Sequence, residues 1–190
     1  MDSSLIISLF LGIGLAAATG FRVFLPLFAL SLTAHFDWWS LHSQWEWLGS
    51  TPALVALGVA MLAELLAYYI PWVDNLLDTA AVPLAGIAGT AVMVATMADV
   101  SPLITWALAI IAGGGTAAAV KGATASTRLG SSVTTAGLGN PIVSTIETFA
   151  AVVMSVLSFV APVLAGIAAL VLLFSLYWIY RKLRPSRRQL

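Results

Sequence analysis

The sequence predicts an all-α protein, a polytopic bundle of about six transmembrane helices, since each span takes roughly 20 apolar residues. Three observations carry that prediction. The chain is 61% hydrophobic and only 8% charged, with a mean hydropathy of +1.01, which is far from the balance of a water-soluble domain. Its apolar stretches have span length and are separated by turn signals. Finally, an aromatic anchor (Tyr177, Trp178, Tyr180) leads into a basic tail, the usual mark of a helix leaving the bilayer.

The first apolar stretch runs from Leu5 to Ala34. Asp2 stands where a signal peptide would carry basic residues, so the stretch reads as a retained span. It is longer than one crossing needs and contains Gly20, Arg22 and Pro26, so it is expected to be broken, tilted or partly re-entrant. Residues His35 to Ser50 carry four tryptophans among acidic and histidine side chains. Indole rings favour the headgroup layer, which predicts a loop lying on the membrane surface.

A second helix is expected over Pro52–Ile70, ending before Pro71, and a third over Ala81–Ala98, ending near Asp99 and Pro102. The fourth, Leu103–Leu129, again exceeds a minimal span and carries Gly113, Gly114 and Gly115 ahead of Lys121 and Arg128. After the polar segment SSVTTAGLGN, Pro141 suits the first turn of a fifth helix ending near Val160. In GLGNP, Asn140 is expected to act as an ordinary N-cap rather than as part of an anion site. The sixth helix runs Pro162–Tyr180.

Five of the eight basic residues, Arg181, Lys182, Arg184, Arg187 and Arg188, lie in the last ten positions. The positive-inside rule places this 181–190 tail in the cytoplasm, and six crossings would then place the amino terminus there too. The whole chain, 1–190, reads as one transmembrane domain. A tail beside a helix end indicates topology, so nucleic-acid binding is not expected.

Enzymatic chemistry finds little support. There is no cysteine, which removes thiolate nucleophiles and cysteine-held metals. HExxH and GxSxG are missing, and both histidines, His35 and His42, sit in the surface loop. A metal there would also need Asp37 and Glu46, so neither metal nor cofactor is expected.

The halves 5–99 and 103–180 share features in the same order. GLAAATGFR (Gly14 to Arg22) aligns with GGGTAAAVK (Gly113 to Lys121), each a small-residue run ending in a cation. LAELLAY places Glu64 on Glu147 of TIETFAA, and PLAGIAG resembles PVLAGIAA. Three helices per half is odd, so a duplication would invert one half, as in many transporters.

Arg22, Glu64, Lys121, Arg128 and Glu147 all fall inside expected helices, and a charge facing lipid is costly. They should face inward and pair, with Asp74 as a possible further partner. Two readings stand side by side: the charges line a hydrated cavity or substrate path, or they are ion pairs and snorkelling cations that hold helices together. If functional, the surplus of cations over carboxylates and the glycine-rich backbone suit a carboxylate, a phosphate or an anionic lipid headgroup.

The segments Gly14 to Pro26, Ile70 to Asp74 (IPWVD), Lys121 to Arg128 (KGATASTR) and Asn140 to Glu147 (NPIVSTIE), together with Glu64, resemble a widespread bacterial integral-membrane family catalogued as a domain of unknown function (DUF4126-like). The resemblance spans nearly the whole chain. It implies a bacterial cytoplasmic (inner) membrane location and no established activity. Two departures stand out: Tyr68 and Tyr69 replace the Asp-Lys usual before Ile-Pro, and Thr148 replaces an acidic residue, so no role is carried over to those positions.

The leading expectation is a small transporter, channel or lipid translocator for an anionic or phosphate-bearing substrate, bound by Arg22, Glu64, Asp74, Lys121, Arg128 and Glu147. The alternatives are a structural or accessory membrane protein and, more weakly, a membrane-embedded lipid-modifying enzyme. A chain this small invites pairing with a second copy to enclose a path. Convergence on a hydrated two-fold cavity would favour transport, whereas pairing in a dry interior would favour the accessory role.

Overall fold

The computed structural model describes residues 3–98 and 100–183, apart from the side chains of residues 71, 72, 74–76, 78, 79 and 183. Among the described residues all regular structure is helical: α1 Ser3–Phe21, α2 Phe24–His35, a 3-10 segment Ser43–Gly49, α3 Thr51–Ala67, α4 Pro71–Thr96, α5 Pro102–Leu108, a π segment Ala109–Gly114, α6 Gly115–Thr135, α7 Asn140–Val160 and α8 Pro162–Leu183. Four helices are long and apolar enough to cross a membrane, namely α1, the continuous rod Pro102–Thr135, α7 and α8. A fifth is possible if the 3-10 segment and α3, bent by 67°, form one span. The expected count of six is therefore reduced to four or five by length and composition.

The packing is inverted relative to a soluble domain. Ala16, Ala17, Ala18, Ala165 and Ala169 are fully buried, whereas Val160, Ile87 and Phe174 are mostly exposed. Large apolar side chains gain nothing by leaving lipid for protein, so small residues take the contacts and bring backbones close. A Cβ added to Gly89 would lie 2.5 Å from Ala117 Cβ and 2.8 Å from the Gly113 carbonyl. Gly86 and Gly89, too loosely spaced to mark a dimer face, instead seat α4 against the π segment of the same chain. That segment carries Gly113 and Gly114, and a π turn is a common way for a helix to absorb an irregular contact.

The long first stretch is broken at Arg22–Val23, and α2 doubles back along α1: Leu30 of α2 packs with Leu11 and Leu15 of α1. At 12 residues, α2 reaches only about 18 Å at 1.5 Å per residue, short of a crossing. The amino-terminal end of α1 consequently lies beside the tryptophan-rich segment, where Ser8 Oγ accepts from the Ala98 amide at 3.1 Å. The far end of α8 lies elsewhere, with Tyr177 and Tyr180 beside Ser126 and Thr127. The ends of the described chain thus fall at opposite ends of the bundle, which corrects the expectation that both termini share a face. The returning hairpin, a break of the kind expected for the long first stretch, is the reason.

Helix directions also depart from the expected inverted repeat. α3 and α7 run oppositely, as do α4 and α8. However, α1 and the rod containing α6 run in parallel: Leu5 and Leu9 pack near Ala109, and Gly20 meets Val120 one span further on. A two-fold axis in the membrane plane reverses every helix that it relates, so it cannot superimpose all three pairs in the aligned order.

Other boundaries shift. α4 begins at Pro71 rather than Ala81 and continues through Pro83, at the loss of one backbone hydrogen bond. Asp99, expected near its end, lies outside the described residues. Asn140 is the first residue of α7 rather than its N-cap, and its side chain donates to Ser132 Oγ at 2.9 Å. The tryptophan-rich segment, expected as a surface loop, forms a 3-10 turn over Ser43–Gly49, with Trp38 70% and Trp47 59% exposed, and Leu48 pins it to the core.

Candidate functional site

The break between α1 and α2 leaves backbone groups without helical partners, and in an apolar interior each must find one. The Glu64 carboxylate accepts from both amides that open α2, Val23 N at 2.8 Å and Phe24 N at 2.9 Å. On the other side of the break, Lys121 Nζ donates to the Phe21 carbonyl at 2.9 Å. A carboxylate sits at a helix amino terminus and an ammonium at a helix carboxyl terminus, as the macrodipole favours. α3 and α6 thus each supply one charged cap to a helix interruption that neither belongs to.

Arg22 occupies the break itself and is fully buried. Its Nε donates to Thr148 Oγ1 at 3.0 Å, and Nη2 donates to the Ser144 carbonyl at 2.7 Å and to Ser144 Oγ at 2.5 Å. Nη2 also lies 3.7 Å from the Glu147 carboxylate. Glu147 in turn takes a forked contact from Arg128, whose Nε donates to Oε1 at 3.1 Å and whose Nη2 reaches Oε2. The two-pronged geometry matches guanidinium to carboxylate. Nη1 of Arg22 is buried with no hydrogen-bond partner in the protein.

Tyr68 completes the cluster. The Cζ atoms of Arg22 and Arg128 each lie 4.2 Å from its ring centroid, and Lys121 Nζ is 5.4 Å away. The electron-rich ring attracts both guanidinium groups. Five of the six expected residues are therefore brought together. Asp74 sits in the first turn of α4, and its side chain lies outside the described residues.

Sequence reasoning missed Tyr68, Ser144 and Thr148. Tyr68 and Thr148 are two of the positions that depart from the resembled pattern, where no role was carried over, yet both touch Arg22. A signal was present for Tyr68, which follows Glu64 by one helical turn, whereas Ser144 and Thr148 share a face with each other, four residues apart.

The profile of a family described as Domain of unknown function (DUF4126) matches residues 9–182. The chain belongs to this family. The match takes in every residue of the cluster and agrees with the resemblance read from the motifs. No curated protein and no solved structure matches the chain.

An apolar cavity of about 350 Å³ adjoins the cluster, lined by Val23, Phe24, Ala63, Glu64, Tyr68 and Leu84 among others. Its size lies at the lower end of the range of ligand-holding pockets. Two polar hollows of about 610 and 470 Å³ flank Trp39–Leu41 at the opposite end of the bundle, and none of the five charges lines either of them.

Proposed function

We propose that this multi-pass membrane protein binds an anionic group at the α1–α2 break and passes it through the bundle, acting as a small translocator rather than an enzyme. The observation that carries this reading is the break itself. A continuous helix would satisfy its own backbone, whereas here two amides and one carbonyl inside apolar protein are met by Glu64 and Lys121. Interrupted helices of this kind form ion and substrate sites at membrane depth.

In this reading Glu64 is a tethered anion on a site built for anions. The α2 amino terminus attracts a carboxylate or phosphate, and Arg22, Lys121 and Arg128 surround it with positive charge. Arg22 Nη1, which lacks a partner in the protein, is free to donate to an incoming oxyanion. Displacing Glu64 opens the site, and Glu64 returning closes it. In this reading the positive-inside rule, applied to the basic tail, supports an orientation with the cluster end of the bundle toward the cytoplasm.

One observation favours a second reading, a structural or accessory role. All five ionisable side chains are at least nine-tenths buried, and each is engaged by protein groups, which is the dry pairing expected of charges that only hold helices together. Flux through proteoliposomes separates the readings. Arg22→Ala is expected to lower flux of an anionic substrate by about tenfold or more, as loss of one charged contact at a binding site does, and Glu64→Gln to alter it measurably. Unchanged flux in both variants, with helical content and monodispersity retained, refutes the translocator.

A further inference from the structure

Resting on the translocator reading, the geometry points to an anionic lipid as the ligand, entering from the bilayer through the apolar cavity between α2, α3 and α4, with Glu64 and Tyr68 as the wall that its headgroup displaces.

The cavity and the cluster share that wall. Glu64 and Tyr68 line the cavity, and the same two side chains face the charges: Glu64 caps α2, while the Tyr68 ring stacks on Arg22 and Arg128. Beyond the wall the lining is aliphatic, including Ala60, Ala63, Leu77 and Leu84. Ala63 and Leu84 are exposed on the outside of the bundle, so the cavity opens where lipid tails lie.

A hydrated inorganic anion has no favourable path through such a lining, because burying its charge against aliphatic walls is costly. An amphiphile meets both demands at once. Its acyl chain suits the cavity, its headgroup oxyanion suits the α2 amino terminus and the unpartnered Nη1 of Arg22, and chain and headgroup lie on either side of a wall one side chain thick. Among the described side chains three cations face two carboxylates, a balance that favours an anionic headgroup over a zwitterionic one.

The test reconstitutes the full chain in phosphatidylcholine vesicles with a trace of fluorescent phosphatidylglycerol, and reads exchange between leaflets by chemical quenching from outside. Efflux of entrapped inorganic phosphate is followed in parallel. Ala63→Phe fills the cavity from its exposed rim, where added bulk meets little packed protein. Expected are lipid exchange by the wild type and a fall of about tenfold or more in Ala63→Phe, because the added ring takes the space that the acyl chain would occupy. Equal helical content in the two proteins shows that the variant folds.

Phosphate efflux without lipid exchange overturns the lipid assignment and leaves the translocator standing. Failure to move either probe overturns both. Lipid exchange that Ala63→Phe leaves at the wild-type rate overturns the entry route through this cavity.

Discussion

Arg128 and Glu147 meet through two hydrogen bonds in a space where neither has more than a few per cent exposure. Removing one partner of such a pair leaves a buried charge, a loss of about 3–5 kcal/mol. Arg128→Ala is therefore expected to lower the unfolding midpoint in detergent micelles well below that of the wild type. Arg128→Lys, which keeps the charge but loses the fork, should fall between them. Lys121→Met tests the other end of the network. It leaves the Phe21 carbonyl buried without its donor, worth roughly 1–3 kcal/mol, and opens the break to faster amide exchange at the end of α1. If Lys121→Met exchanges no faster than wild type there, Lys121 is not holding the break. For Tyr68, Phe retains the ring that both guanidinium groups contact, and Ala removes it, so Tyr68→Ala is expected to lower the unfolding midpoint further than Tyr68→Phe.

Helix contacts turn on where a Cβ has room. Gly89 has none, with Ala117 Cβ 2.5 Å and the Gly113 carbonyl 2.8 Å from the added atom, while at Gly86 the nearest atoms are 3.8 Å away. Gly89→Ala should push α4 off the π segment and destabilise the fold, and Gly86→Ala, one turn away, should be tolerated. Gly122 meets nothing within 4 Å, so Gly122→Ala should be neutral or stabilising by up to about 1 kcal/mol, the helix-propensity difference. Thermal unfolding of the three variants in one detergent gives the order directly. A Gly89→Ala protein as stable as the Gly122→Ala protein would contradict the close α4–π contact. The apolar stretches themselves were legible in the chain because span length and turn residues are local properties. The path of α2 was not legible, because the break at Arg22–Val23 is stabilised by groups from α3 and α6, far off in sequence.

For the molecule as a whole, the hairpin of α1 and α2 changes the topology. The chain contains no cysteine, so single cysteines report sidedness without background. Ser4→Cys and Tyr180→Cys are expected to react with a membrane-impermeant maleimide from opposite sides of sealed vesicles. Labelling of both from the same side would contradict the placement of the two ends at opposite ends of the bundle.

Composition and spacing alone indicated that this chain belongs in a membrane, and they picked out Arg22, Glu64, Lys121, Arg128 and Glu147 as the ionisable residues within the apolar bulk that should face inward. These follow from the energy of moving single side chains and helices between water and lipid, which depends on local sequence. Which charge meets which group was decided only by the fold. Glu64 does not pair simply with a cation but caps α2, Lys121 holds a carbonyl, and Tyr68, an aromatic residue with no charge to draw attention, contacts two arginines. Hydrogen bonds and ring contacts act over a few ångströms, and the residues that make them lie as far apart as 126 positions, as Arg22 and Thr148 do. The helix directions that disagree with the aligned repeat belong to the same category, since a likeness between two segments carries no information about which way each one runs in space.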